Sequence, residues 1–88
     1  MPKISERLFK RVGEELLRAL YEHYPKFLST FEVSWEIARD DEFCLRVLQF
    51  LEKNKLVYRK RGKDENYARA RLWKLSEEAR KRFEELRR

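Results

Sequence analysis

The chain has 88 residues, of which 42% are hydrophobic, 14% aromatic and 43% charged, with a net charge of +6. That length and hydrophobic share fit one compact domain spanning 1–88 and exclude both a disordered chain and a two-domain one. One cysteine and one histidine exclude a disulfide framework, a multi-cysteine zinc site and a His-based triad. No apolar run exceeds three residues, and charges arrive too early for a signal peptide. A soluble, cytoplasmic protein with no membrane partner is therefore expected. Lys and Glu are abundant while Gln occurs once and Asn twice, the pattern of hyperthermophilic chains. A domain this small buries only roughly 60% of its unfolded surface, so a partner subunit would help it.

The first helix is expected over about 4–24, capped by Ser5. Leu8, Phe9, Val12, Leu16, Leu17, Leu20, Tyr21 and Tyr24 recur at helical spacing, and Pro25 ends the element. Its apolar arc is wide, which with the last helix suggests a second contact surface made by Ile4, Leu8, Phe9, Phe83 and Leu86. Phe27 to Val33 could hold one short strand. Ser34 then offers an N-cap to a second helix over about 34–39. A third helix over about 41–53 places Cys44, Val47, Leu48 and Leu51 on one face and Glu42, Arg46, Gln49 and Lys53 on the opposite one. Asn54 is expected to take the left-handed position that closes it. A hairpin over about 56–75 turns at Gly62 to Asn66, and Ser76 caps a last helix over about 76–87.

The positive charge is concentrated. Between Lys53 and Lys74 nine basic residues oppose only Asp64 and Glu65, a surplus of seven on one quarter of the chain. Such a surplus on a hairpin points to a polyanion partner. Arg59, Lys60, Arg61, Lys63, Arg69 and Arg71 are the candidate phosphate contacts.

The element order is that of a winged helix-turn-helix, and three segments carry a resemblance to that class of regulators. Glu36-Ile37-Ala38-Arg39 resembles their second helix. Leu48 to Val57, read as Leu48-x-x-Leu51-Glu52-Lys53-Asn54-Lys55-Leu56-Val57, resembles the end of their recognition helix and the entry to the wing. Leu75-Ser76-Glu77-Glu78-Ala79 resembles the exit from the wing in MarR-like and PadR-like proteins. The resemblance covers about residues 14–80 and is closest to small archaeal or archaeal-virus types. It implies an α+β, mostly α fold with three core helices, a two-stranded β-hairpin wing and a C-terminal helix. Those families usually carry Gly where this chain has Lys55, which leaves Asn54 to relieve the turn.

The resemblance implies a transcription regulator that binds double-stranded DNA as a homodimer, without a cofactor, metal or small-molecule ligand. The third helix would enter the major groove, where Arg46 can read guanine, Gln49 adenine and Glu42 cytosine, with Lys53 beside them. The wing would lie on the backbone or in the minor groove. No enzyme is expected. The paired carboxylates Asp40/Asp41, Glu14/Glu15 and Glu77/Glu78 suit capping and exposed faces, and His23 suits a helix C-terminus. Cys44 reads as a small buried hydrophobe, and Phe31 and Trp73 as core. Two other readings stand beside this one. A protein-interaction module would expose Phe43 and Phe50 as an apolar patch, and an RNA-binding protein would use the basic hairpin.

Overall fold

The computed structural model describes the backbone of residues 2–61 and 71–86, with side chains from 6 to 60 and from 71 to 86. Helix α1 runs Pro2–His23, strand β1 Leu28–Ser29, α2 Thr30–Glu36, α3 Asp41–Lys53, β2 Val57–Arg61, β3 Arg71–Leu75 and α4 Glu77–Leu86. The α2–α3 pair followed by the β2–β3 hairpin is a winged helix-turn-helix. The Tyr24–Pro25 peptide between α1 and β1 is cis.

Strand β3 is central, with both neighbours antiparallel. Leu28 and Ser29 pair with Trp73 and Leu72, while Val57 to Arg61 pair in order with Leu75 to Arg71. The sheet thus has three strands, the expected two-stranded wing and the short strand expected within Phe27 to Val33, which Leu28 and Ser29 form as a rung on β3. Its inner face contributes Leu28, Val57, Trp73 and Leu75 to one core. α1 adds Val12, Leu16, Ala19 and Leu20, α2 adds Val33, α3 adds Cys44, Val47, Leu48 and Leu51, and α4 adds Ala79. Trp73 is fully buried, and its indole Nε1 donates to Thr30 Oγ1 at 2.8 Å. A buried indole without that acceptor would cost about 1–3 kcal/mol, so the bond fixes the start of α2 over the sheet.

Two expectations fail in α1 and α2. Ser5 lies inside α1, which begins at Pro2; proline suits a first turn because its missing N–H would be unpaired there anyway. The second helix begins at Thr30 rather than 34, capped by Ser29. Ser29 Oγ accepts from Glu32 N at 3.0 Å, and Glu32 Oε1 accepts from Ser29 N at 2.9 Å, a complete capping box. Ser34 is instead fully buried inside α2, donating through Oγ to the Asp41 carboxylate across the turn. The four-residue shift rotates the helix. Phe31, expected in the core, is 61% exposed, and Trp35 77% exposed.

Both helices of the pair end in the same way. Ala38 N donates to Trp35 O and Arg39 N to Ser34 O; Lys55 N donates to Glu52 O and Leu56 N to Leu51 O. These are two Schellman motifs, whose penultimate position must be left-handed. Ala38 stands there with φ 56° and Lys55 with φ 62°. The expectation for Asn54 is corrected: its φ is −92°, and it acts instead through Nδ2, which donates to Phe50 O at 2.9 Å. Lys55 itself turns the chain at the position where glycine is usual. A β-carbon in this conformation costs roughly 1–2 kcal/mol, partly offset by the extra freedom glycine has when unfolded. Ala38→Gly and Lys55→Gly should therefore each raise stability, by about 0.5–1 kcal/mol in denaturant melts.

Candidate nucleic-acid interface

The outer face of α3 is built by its inner one. Cys44, Val47, Leu48 and Leu51 are sealed in the core, which leaves Glu42, Arg46, Gln49 and Lys53 exposed along one open stripe. Glu42 and Arg46, one turn apart, make no ion pair with each other among the described residues. The three acids opening α3 have separate tasks. Asp40 is its N-cap, accepting from Phe43 N at 2.9 Å, and Asp41 accepts from Ser34. Among the described residues, only Glu42 of the three is left without a partner. Arg39, in the turn, holds α1 through Glu15 with two bonds of 3.1 and 3.2 Å, and this pairing keeps its guanidinium more firmly protonated.

The flank of α3 is clasped by α1. Phe9 meets Phe43 and Phe50 edge to face, with centroids 6.1 and 5.2 Å apart. Phe43 is half-buried by this contact, while Phe50 stays 49% exposed. The apolar patch that a protein-interaction module would need at Phe43 and Phe50 is therefore half filled from within the chain. Phe31 and Trp35 form a second exposed aromatic pair, on α2, with centroids 6.0 Å apart.

The wing residues divide between two faces of the sheet. Directly paired residues share a face, so Arg59 lies with Trp73, and Arg71 two residues before Trp73 shares that face, on the side that meets α3. Arg59 Nε is 3.4 Å from Glu52 Oε2 at the end of α3, which joins the arginine face to that helix. Lys60 pairs with Leu72 and Tyr58 with Lys74, on the opposite face. The candidate contacts are thus not one cluster. Composition could not show this; the alternation of Arg59, Lys60 and Arg61 along β2 is the signal that would have. Lys63 and Arg69, and the side chain of Arg61, lie outside the described residues.

On the α1–α4 side, Leu8 is 39% and Leu86 82% exposed. Phe83 is half-buried against Tyr21, with ring centroids 5.1 Å apart. A groove of about 800 Å³ between the two helices is bordered by Arg18, Tyr21, Glu22, Phe83 and Leu86. Phe9 is engaged by Phe43 and Phe50, and the side chain of Ile4 lies outside the described residues. His23 Nε2 lies 2.9 Å from Glu36 Oε1, so it braces α1 against α2. Among the described residues no group of His, Cys, Asp and Glu could hold a metal ion, and no helix is long and apolar enough to cross a membrane.

With this geometry in place, the relatives are structural. No protein-family model and no curated protein matches the chain. MepR of S. aureus in its complex with DNA superposes with a TM-score of 0.75 at 23% identity, over 91% of this chain and 64% of MepR. ZitR of Lactococcus lactis, a mutant in its apo form, gives 0.70 at 20% identity over 94% of this chain and 58% of ZitR. A second ZitR structure, described as a zinc-responsive MarR family member, gives 0.64 at 19% identity over 77% and 44%. The chain is thus similar in fold to winged-helix regulators of the MarR family. It spans about half to two thirds of their length.

Cys44 is a buried free thiol, as the sequence suggests. Burial pushes its pKa up to about 11, with the Asp41 and Asp40 carboxylates adding to the effect. The folded state therefore keeps the proton longer than an unfolded chain, whose thiol ionises near about 8.5. Stability is unaffected below that pH and falls as pH rises from about 8.5 toward 11. Cys44→Ala should lose less stability than the parent over this window. Thiol reagents at neutral pH should modify the parent only after denaturant is added.

Proposed function

We propose that the protein is a sequence-specific double-stranded DNA-binding regulator of transcription, and that it works as a homodimer. The observation that carries this reading is the open stripe of Glu42, Arg46, Gln49 and Lys53 on α3, standing beside the arginine face that Arg59 joins to it through Glu52. In a helix-turn-helix, the second helix of the pair offers its outer face to base edges in the major groove. Arg46 and Gln49 are the reading residues, with Glu42 as an acceptor for cytosine. Lys53, Arg59 and Arg71 lie on phosphate, joined by Arg61, Lys63 and Arg69 toward the wing tip. The likeness in fold to MepR, solved in complex with DNA, supports the same choice of partner.

The dimer would form through α1 and α4. Leu8, Phe83 and Leu86 would offer the apolar surface there, with Ile4 at the start of α1 and with Phe9, whose ring also packs on Phe43 and Phe50. A two-fold contact of this kind would set the two α3 helices about 34–36 Å apart, for half-sites one turn of DNA apart. Light scattering should give the mass of two chains at tens of micromolar, and Leu86→Glu with Leu8→Glu should give one. A parent chain that scatters as a monomer with and without DNA would remove the dimer from this reading.

Selection from a random duplex library tests the reading as a whole, with an enriched palindrome as the expected result. On that site Arg46→Ala or Gln49→Ala should cost about 1–3 kcal/mol, with little loss on random DNA. Equal losses on both would reduce these residues to phosphate contacts. Unchanged binding would favour a protein partner instead.

A further inference from the structure

The outer face of the sheet, turned away from α3, is left unused by the reading above. There Lys60 Nζ lies 4.3 Å from the centroid of the Phe27 ring, and Lys74 Nζ lies 5.1 Å from the same centroid. Lys74 is also 5.9 Å from the Tyr24 ring, which carries the Arg80 guanidinium at 5.3 Å. Three cations, from β2, β3 and α4, thus gather on two rings from the segment that joins α1 to β1.

Each ring attracts a cation by about 0.5–1 kcal/mol at an exposed site. The rings carry no net charge, however, and so leave the repulsion between the two ammonium groups standing. Arg80 is paired with Glu84 at 3.0 Å. Among the described residues neither Lys60 nor Lys74 has a carboxylate partner. The two lysines thus have an aromatic floor and, among the described residues, no anion, while Arg80 is already matched by Glu84. The stems of both lysines are already ordered against Phe27, so less side-chain freedom is lost when an anion arrives. Cations spread over two rings and three elements suit a row of phosphates better than one small ion.

We propose that this face, made of Tyr24, Phe27, Lys60, Lys74 and Arg80, is a second phosphate-binding surface that takes the backbone of another DNA duplex, so that the protein bridges two duplexes. The proposal rests on the reading that α3 and the arginine face hold the first duplex. Side chains alternate across a strand. A duplex held on the side of Arg59 and α3 is therefore on the far side of the sheet from Lys60 and Lys74. Binding at the outer face has no base edges to read and a backbone to neutralise, so it should be indifferent to sequence and sensitive to salt.

The test immobilises a duplex carrying the selected site, loads it with protein, and measures capture of a labelled duplex of random sequence. The parent should capture the second duplex, and K60M/K74M should capture it about tenfold less, since two phosphate contacts are lost. The first duplex should still load within about twofold, and K60R/K74R should restore capture. Inorganic phosphate at millimolar concentration should leave capture intact; full displacement by it would mean a site for a small anion and overturn the proposal. So would absence of capture by the parent, undiminished capture by K60M/K74M, or parallel loss of both duplexes in that variant. Circular dichroism checks that K60M/K74M folds, and Lys74→Gln alone replaces it if it does not. Failure of the parent to load the first duplex overturns the DNA reading itself. Failure of capture with loading intact overturns only the bridging.

Discussion

The position of α3 relative to the β2–β3 hairpin depends on one buried indole. Trp73 sits on the central strand, fully enclosed, with β1 on one side and β2 on the other. Its ring fills the space between sheet and helices, and its N–H requires an acceptor in a place water does not reach. Thr30 supplies that acceptor from the first turn of α2. The requirement converts a non-directional apolar contact into a defined angle between α2 and the sheet. From α2 the geometry passes to α3 through Ser34 and Asp41, and from the sheet it passes to α3 through Arg59 and Glu52. α3 and the hairpin are thus tied to each other by two routes, one starting at Trp73 on β3 and one at Arg59 on β2.

The acids around the turn make sense within this frame. Three carboxylates at the start of a DNA-reading helix would oppose phosphate. Two of them are committed to structure, Asp40 as a cap and Asp41 as the partner of a buried hydroxyl. An acid at a helix N-terminus is also favoured by the helix dipole, by about 0.3–1 kcal/mol. Glu15, on α1, is engaged by Arg39. Local stability and the electrostatics of binding therefore make different demands on the same few residues, and the turn meets the first by giving these carboxylates partners within the chain. The two left-handed non-glycine residues show the same preference for defined chain direction over local ease.

Periodicity made α3 legible to the residue, from Asp41 to Lys53, because its apolar face is strict and its cap sits directly before it. α1 and α4 were legible to within two residues from their apolar spacing, although the cap expected for α1 lies inside the helix. α2 was not. It has seven residues, too few for a period to establish itself, and two serines that could each serve as cap. Ser34 reads as a cap ahead of Trp35 and Glu36, whereas Ser29 with Glu32 three residues on completes a reciprocal box. Phe31, read as core because large aromatics usually are, falls on the exposed side of α2. β1 was blurred by the same apolar stretch, since a two-residue rung has no pattern of its own and exists only because β3 offers an unpaired edge. The partner of Trp73 is 43 residues away in sequence and left no local mark.

The basic hairpin shows why charge alone reads function incompletely. A surplus of seven between Lys53 and Lys74 announces a polyanion, but a sum has no direction and a strand has two sides. Once β2 pairs with β3, alternation sends Arg59 toward Glu52 and α3, and sends Lys60 toward Phe27. The chemistry divides along the same line, since guanidinium offers a planar fork that can hold a phosphate bidentately, while ammonium acts as a compact point charge. Within the described strands, arginine lies on the face that meets the recognition helix and lysine on the aromatic floor behind it. The two sets therefore differ in reach as well as in sign-independent chemistry. A wing read only as a basic loop would assign all of them to one duplex, whereas the pleat of the sheet gives them two separate surfaces on which to act.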